Sequence, residues 1–172
     1  MAYLRVALTN LGKYNEGELI FEWLNLPASD EQIEKAFKNI EVADGTMYEE
    51  HFISDYETDI GGLEVGEYES LSQLNETMEK LDALDDYEIE EVEAIMEAEG
   101  LGLAKAIGAQ QEGDFIYYGG IKSYTELAEM FVDEGCFGEI PENLQYYIDY
   151  EKIGRDLEYD YTQTKNGFLS IA

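Results

Sequence analysis

The sequence predicts an α+β fold, built as an elongated chain of three small modules: α+β at 1–62, acidic helical at 63–112, and α+β at 113–172. Three observations carry this reading. Strand-like alternation at both ends brackets a middle stretch whose apolar residues recur at helical spacing. A glycine-rich break, "DIGGLEVGEY" at 59–68, separates the first pattern from the second. The formal charge of −30 on 172 residues would crowd a compact globule of about 40 Å diameter, and modules in a row relieve that repulsion.

The elements follow in order. Residues 3–8 and 18–24 read as strands joined by a loop containing "NLGKYNEG". Ser29 opens a helix running to about Ile40, and Gln32 completes an S-x-x-Q capping box. "EEHFISDYE" at 49–57 alternates like a third strand. Ser70 and Gln73 form a second capping box, before a helix with Leu71, Leu74, Met78 and Leu81 on one side. Residues 82–100, "DALDDYEIEEVEAIMEAEG", predict a further helix with Leu84, Ile89, Val92, Ile95 and Met96 as its apolar stripe. A shorter helix is expected over 101–110, and "DFIYYGGI" at 114–121 reads as a strand. Ser123 with Glu126 caps a helix ending near Gly135. Residues 140–157 read as two short helical pieces, with Pro141 suited to a first helical position. The chain closes on a hairpin whose Asn166-Gly167 pair suits a type I′ turn.

Composition excludes several classes. Hydrophobic residues make up 45% and aromatics 13%, enough to build packed cores and too many for a disordered acidic tail. No run approaches the roughly 20 apolar residues of a membrane span, and "MAYLRVALTN" does not read as a signal peptide. A single cysteine suits a reducing cytoplasm. Nucleic acid and anionic membrane are poor partners for this charge, whereas a strongly basic surface is the natural one.

Chemistry is harder to find. His51 is the one histidine and Cys136 the one cysteine. A Ser-His-Asp or Cys-His arrangement would have to use His51, which sits in an expected strand and reads as a surface or core histidine. Cys136 reads as a small buried hydrophobe, and the two together fall short of a zinc ligand set. Asp55, Glu57 and Asp59 fill positions 1, 3 and 5 of a calcium loop, yet Ile60 stands where glycine belongs and Gly66 where glutamate belongs. Two glycosidase carboxylates cannot be singled out among 40 acids. No phosphate-binding G-x-x-x-x-G-K-[ST] is present, and "GLGLAKAIG" does not follow a strand. No cofactor is expected, and the sequence reads as a non-enzyme.

Acid patterning is the recurring theme. Residues 41–99 hold 21 acids against Lys80 alone. Within 82–100 there are nine carboxylates and no lysine or arginine. Glu90, Glu93 and Glu97 share a helix face, where like charges cost about 0.2–0.5 kcal/mol per pair. A solvated acidic face with tyrosines at the core margin, or adaptation to salt, would explain part of this. A sharper reading is imitation of the DNA backbone: thirty charges correspond to about 51 Å of duplex, or about 15 base pairs.

"GEIPENLQYYIDYEKIGRDL" at 138–157 closely resembles the antirestriction motif of the ArdA family of antirestriction proteins. "NLGKYNEGEL" at 10–19, "ISDYE" at 53–57 and "GEYESLSQLN" at 66–75 are similar to family stretches in the same order. The resemblance implies a protein carried by mobile genetic elements, an elongated homodimer of three-module subunits whose surface imitates bent B-form DNA. It also implies binding to the methyltransferase core of type I restriction–modification enzymes, in the groove that takes DNA. On this reading the acidic surface comprises Asp55, Glu57, Asp59, Glu67, Glu69, Asp82, Asp85, Asp86, Glu90, Glu93 and Glu97. The resemblance also places self-association in the C-terminal module, with Ile140, Leu144, Tyr147, Ile148 and Tyr150 as candidates. Those five residues equally suit that module's own core. The alternative function is an acidic protein that sequesters some other basic DNA-binding partner.

Overall fold

A computed structural model describes residues 2–172. The fold is mixed α+β, with two three-stranded antiparallel sheets and eight helices among the described residues. The chain divides into two compact units. One holds the residues up to Ile89 together with Gly102–Ala104; the other holds Glu90–Leu101 and Lys105–Ala172.

In the first unit, β1 (Leu4–Asn10) lies between β2 (Phe21–Leu26) and β3 (His51–Thr58). As the central strand it is buried almost throughout, including the polar Thr9 and Asn10. Both polar side chains are satisfied. Thr9 Oγ1 meets Ser54 Oγ at 2.7 Å, and Asn10 Nδ2 donates to the Ile40 carbonyl at 2.9 Å. Asn10 Oδ1 also accepts from Lys13 N–H, which caps a short helix, α1 (Leu11–Asn15), inside the span expected to be plain loop. Closing that helix uses Gly17, at φ 88°, so β2 begins at Phe21 and not at residue 18.

Two more helices complete this unit: α2 (Asp30–Asn39) and α3 (Leu71–Asp82). The Ser29 capping box is present in both directions, Ser29 N–H to Gln32 at 2.9 Å and Gln32 N–H to Ser29 Oγ at 3.3 Å. Ser70 Oγ accepts from Gln73 N–H at 3.3 Å. Leu71, Leu74, Met78 and Leu81 are all buried. Burying one such side chain is worth about 1.5–3 kcal/mol, so the stripe and not surface charge fixes α3.

The second unit takes most of α4 (Asp86–Glu99) and α5 (Leu103–Glu112). It also holds β4 (Phe115–Gly119), α6 (Tyr124–Asp133), a 3-10 helix (Glu142–Tyr147), α7 (Tyr150–Leu157), β5 (Thr162–Thr164) and β6 (Gly167–Ile171). Its sheet runs β4-β6-β5. Leu127, Phe131 and Phe168 are its buried centre, with Tyr118, Tyr124, Leu157 and Tyr161 packed around them. Edge-to-face pairs link these rings, Tyr124 to Phe168 at 4.7 Å and Phe131 to Tyr161 at 5.3 Å. Gly154 lets α7 approach α6, since a Cβ there would lie 3.0 Å from the Tyr124 carbonyl. Of the stripe expected on α4, Val92, Ile95 and Met96 are buried; Leu84 precedes the helix and, like Ile89, is half-buried.

Three local expectations are corrected. Cys136 is exposed, not buried. Its N–H donates to the Phe131 carbonyl while Gly135 (φ 75°) donates to Val132, so Gly135 is the left-handed residue on which a Schellman motif turns the chain, and Cys136 follows it outside the helix. Pro141 is the cap of the 3-10 helix, one residue before its first position. The hairpin turn is Lys165-Asn166 with Gly167 already in β6 opposite Thr164. Neither turn residue nor Gly167 has a positive φ, which excludes type I′.

Candidate functional site

In the first unit, the pairing of β1 with β3 shifts register between Ala7 and Leu8, leaving Ser54 unpaired as a bulge. Phe52 and Ile53 on one side of it are buried, and Asp55 and Glu57 on the other are exposed. Two residues apart on one strand, these carboxylates share a face at a spacing of about 6.8 Å. Asp55 accepts from Tyr56 N–H at 2.8 Å, and Asp59 from Tyr3 N–H at 2.6 Å. Glu57 faces a cation of its own chain: Arg5, its partner in register, donates through Nε at 2.8 Å and stacks over Trp23 at 4.7 Å.

Glu67 and Glu69 follow in an exposed connection, where Glu67's carbonyl accepts from Ile53 N–H and Glu69's carboxylate from Gly66 N–H. Asp82, Asp85 and Asp86 are exposed at the junction of α3 and α4. Asp85 is the cap of α4. Its carboxylate accepts from Glu88 N–H, and Glu88 accepts back from Asp85 N–H, both at 2.9 Å. Asp86 and Glu88 stand in the first turn, where a helix dipole favours negative charge.

Within the second unit, Glu90 accepts from Tyr117 Oη at 3.4 Å and Glu97 from Lys165 N–H at 3.0 Å. Glu90 and Glu97 are exposed and Glu93 is half-buried. Several acids of the lysine-free stretch therefore hold local structure, which the sequence does not reveal.

The five candidates for self-association separate from the core. Leu144 and Tyr147 are 50% and 82% exposed, and Ile140, Ile148 and Tyr150 are half-buried. The 3-10 helix that carries two of them buries no residue. Phe137 and Tyr146, 96% exposed in the latter case, belong with this apolar segment. Sequence reasoning passed over both. The signal was the run "CFGEIPENLQYY", rich in large apolar residues without helical spacing.

A cleft of about 570 Å³ opens in the first unit, lined by Phe37, His51, Phe52 and Tyr68 and by Asp30, Glu67, Glu69, Glu76 and Glu79. Burial pushes the His51 imidazole below its usual 6.5. Nearby, Lys13 is held above its usual 10.5 by hydrogen bonds to Glu41 and Glu18. Among the described residues, no group of three or more His, Cys, Asp and Glu is arranged to hold a metal ion. No helix among them is long and apolar enough to cross a membrane.

An acid-covered α+β protein with a separate exposed apolar segment is the class these features define. The chain belongs to the ArdA family: the sequence model "Antirestriction protein (ArdA)" matches residues 6–170. No curated relative matches it. Membership implies an antirestriction function, and with it an interaction with restriction enzymes.

Proposed function

We propose that this protein inhibits type I restriction–modification enzymes as a decoy for B-form DNA, lodging in the DNA-binding groove of their methyltransferase core. One observation carries the reading. In the stretch where 21 acids accompany a single lysine, all the acids singled out except Glu93 stay exposed. A helix such as α4 forgoes the few tenths of a kcal/mol that a Glu-to-Lys pair would add. A lysine there would also set a cation against the arginines and lysines that grip phosphates.

Distributed charge predicts a distributed response. An exposed ion pair is worth about 0.2–1 kcal/mol, so neutralising one acid weakens inhibition by about fivefold at most, and reversing it to lysine, which trades an attraction for a repulsion of similar size, by about thirtyfold at most. Reversing Asp55, Glu67, Glu69 and Asp82 together should abolish it. The measurement is a gel-shift competition in which the protein displaces labelled DNA from a purified type I methyltransferase. No displacement at any concentration sinks the proposal, as does a single reversal that removes all activity.

The decoy acts as a homodimer of three-module subunits, joined through the apolar segment around the 3-10 helix. Large apolar side chains so exposed on a chain this acidic call for a cover. Leu144→Asp with Tyr147→Asp should give a folded monomer, with circular dichroism unchanged and a later elution on a sizing column. A wild-type protein that already elutes as a monomer ends this part of the reading.

A further inference from the structure

The cleft in the first unit has features that imitation of a phosphate backbone does not require. Its volume of about 570 Å³ falls within the range of roughly 300–1,000 Å³ usual for ligand sites. Rings provide much of its wall: Phe37 packs on His51 at 4.8 Å, and Phe52 on Tyr68 at 6.4 Å between centroids. Five carboxylates stand around these rings, and no lysine or arginine lines the cleft.

The sign of an occupant follows from the balance of charge. The first turns of α2 and α3 reach the cleft through Asp30 and Leu71. Each helix start contributes about +0.5 of a charge, so the pair offsets about one of the five carboxylates. A cation is selected. The rings then choose among cations. A small metal ion gains little from them, whereas a guanidinium is flat, weakly hydrated, stacks on aromatic faces and donates to carboxylates in pairs.

We propose that this cleft receives an arginine side chain from the basic face of the target enzyme, stacked on Tyr68 or on the Phe37–His51 pair. Its N–H groups donate to the neighbouring carboxylates, Glu67 and Glu76 among them. This rests on the decoy reading and adds to it one localised anchor. DNA offers that arginine a phosphate and no aromatic wall, so the decoy grips it in a way DNA does not.

The test is a nuclear magnetic resonance titration of the whole protein with acetyl-Gly-Arg-Gly-amide. Parallel arms use the same peptide with citrulline for arginine, and spermidine. The arginine peptide should shift the His51 imidazole and the Tyr68 ring saturably, and the citrulline peptide should not. Tyr68→Ala, at a position 74% exposed and therefore safe for the fold, should weaken binding about three- to fivefold. Equal shifts with citrulline overturn the proposal, as do unsaturable shifts spread over the acidic surface. Tighter occupation by spermidine overturns it too, in favour of a free polyamine. Because no restriction enzyme is present, failure here leaves the decoy reading standing. Saturable binding here alongside failed DNA displacement would sink that reading alone.

Discussion

His51 packs at a tilt against Phe37 between two cavities. One is the aromatic cleft, whose carboxylates are Asp30, Glu67, Glu69, Glu76 and Glu79; the other is lined by Glu34, Lys38, Glu41, Asp44 and Glu49 among its residues. Burial lowers the imidazole's affinity for a proton, so the unfolded chain binds that proton more tightly than the fold does. The contribution to stability is therefore whole above 6.5, the ordinary value, and is lost as pH falls from there through the lowered value of the fold. Between about pH 7.5 and about pH 5.5 the wild type should lose stability relative to His51→Gln, measured as urea midpoints. A wild type that gains on the variant instead would mean that the surrounding carboxylates hold an imidazolium. At this scale the caps at Ser29, Ser70 and Ser123 were legible, because each satisfies a donor three residues away. The Arg5–Glu57 pair spans 52 residues and needs the strand register to bring it together. Glu41, at φ 60°, was equally hidden, since nothing about a glutamate announces a left-handed backbone. Asn10 and Lys13 hold it there, by a bond to its carbonyl and one to its carboxylate.

Elements whose apolar stripe outweighs every local preference are legible in the sequence, α3 among them. Its buried Leu71, Leu74, Met78 and Leu81 follow the helical period expected of them. Where one residue decides the path, sequence pattern gave the element and missed its detail. The bulge at Ser54 turns an expected alternation into the adjacent buried pair Phe52 and Ile53. The closing hairpin was legible too, but for the wrong reason. Asn166-Gly167 promised a turn that needs positive φ, whereas Gly167 serves the sheet. A Cβ at Gly167 would collide with the Tyr118 carbonyl oxygen and approach the Tyr117 ring to 3.0 Å. Gly167→Ala should therefore cost about 1–3 kcal/mol by overpacking, read from the denaturation midpoint. An unchanged midpoint would show that the sheet yields room for the added methyl and that close packing does not require the glycine.

A chain at −30 is governed as a whole by screening, and screening acts on its two properties in opposite directions. Within the fold, like charges such as those along α4 repel, and salt relieves them. Across an interface with a basic groove, salt weakens the attraction that makes a decoy bind. The Debye length falls from about 10 Å at 0.1 M to about 3 Å at 1 M, so both effects should appear over the same range. Raising KCl from about 50 mM to about 500 mM should increase the urea midpoint of the free protein while reducing its power to displace DNA from the methyltransferase. Reversing Asp55, Glu67, Glu69 and Asp82 to lysine changes the net charge by +8, two units at each of four sites, from −30 to −22. That variant should flatten the rise in stability with salt. Its denaturation curves in dilute buffer also serve as a control, because a loss of displacement from a better-folded chain cannot be blamed on unfolding. If displacement strengthened with salt together with stability, the contact with the enzyme would be apolar. The exposed acids would then be a solubility coat, and the reading of this surface as counterfeit DNA would fail.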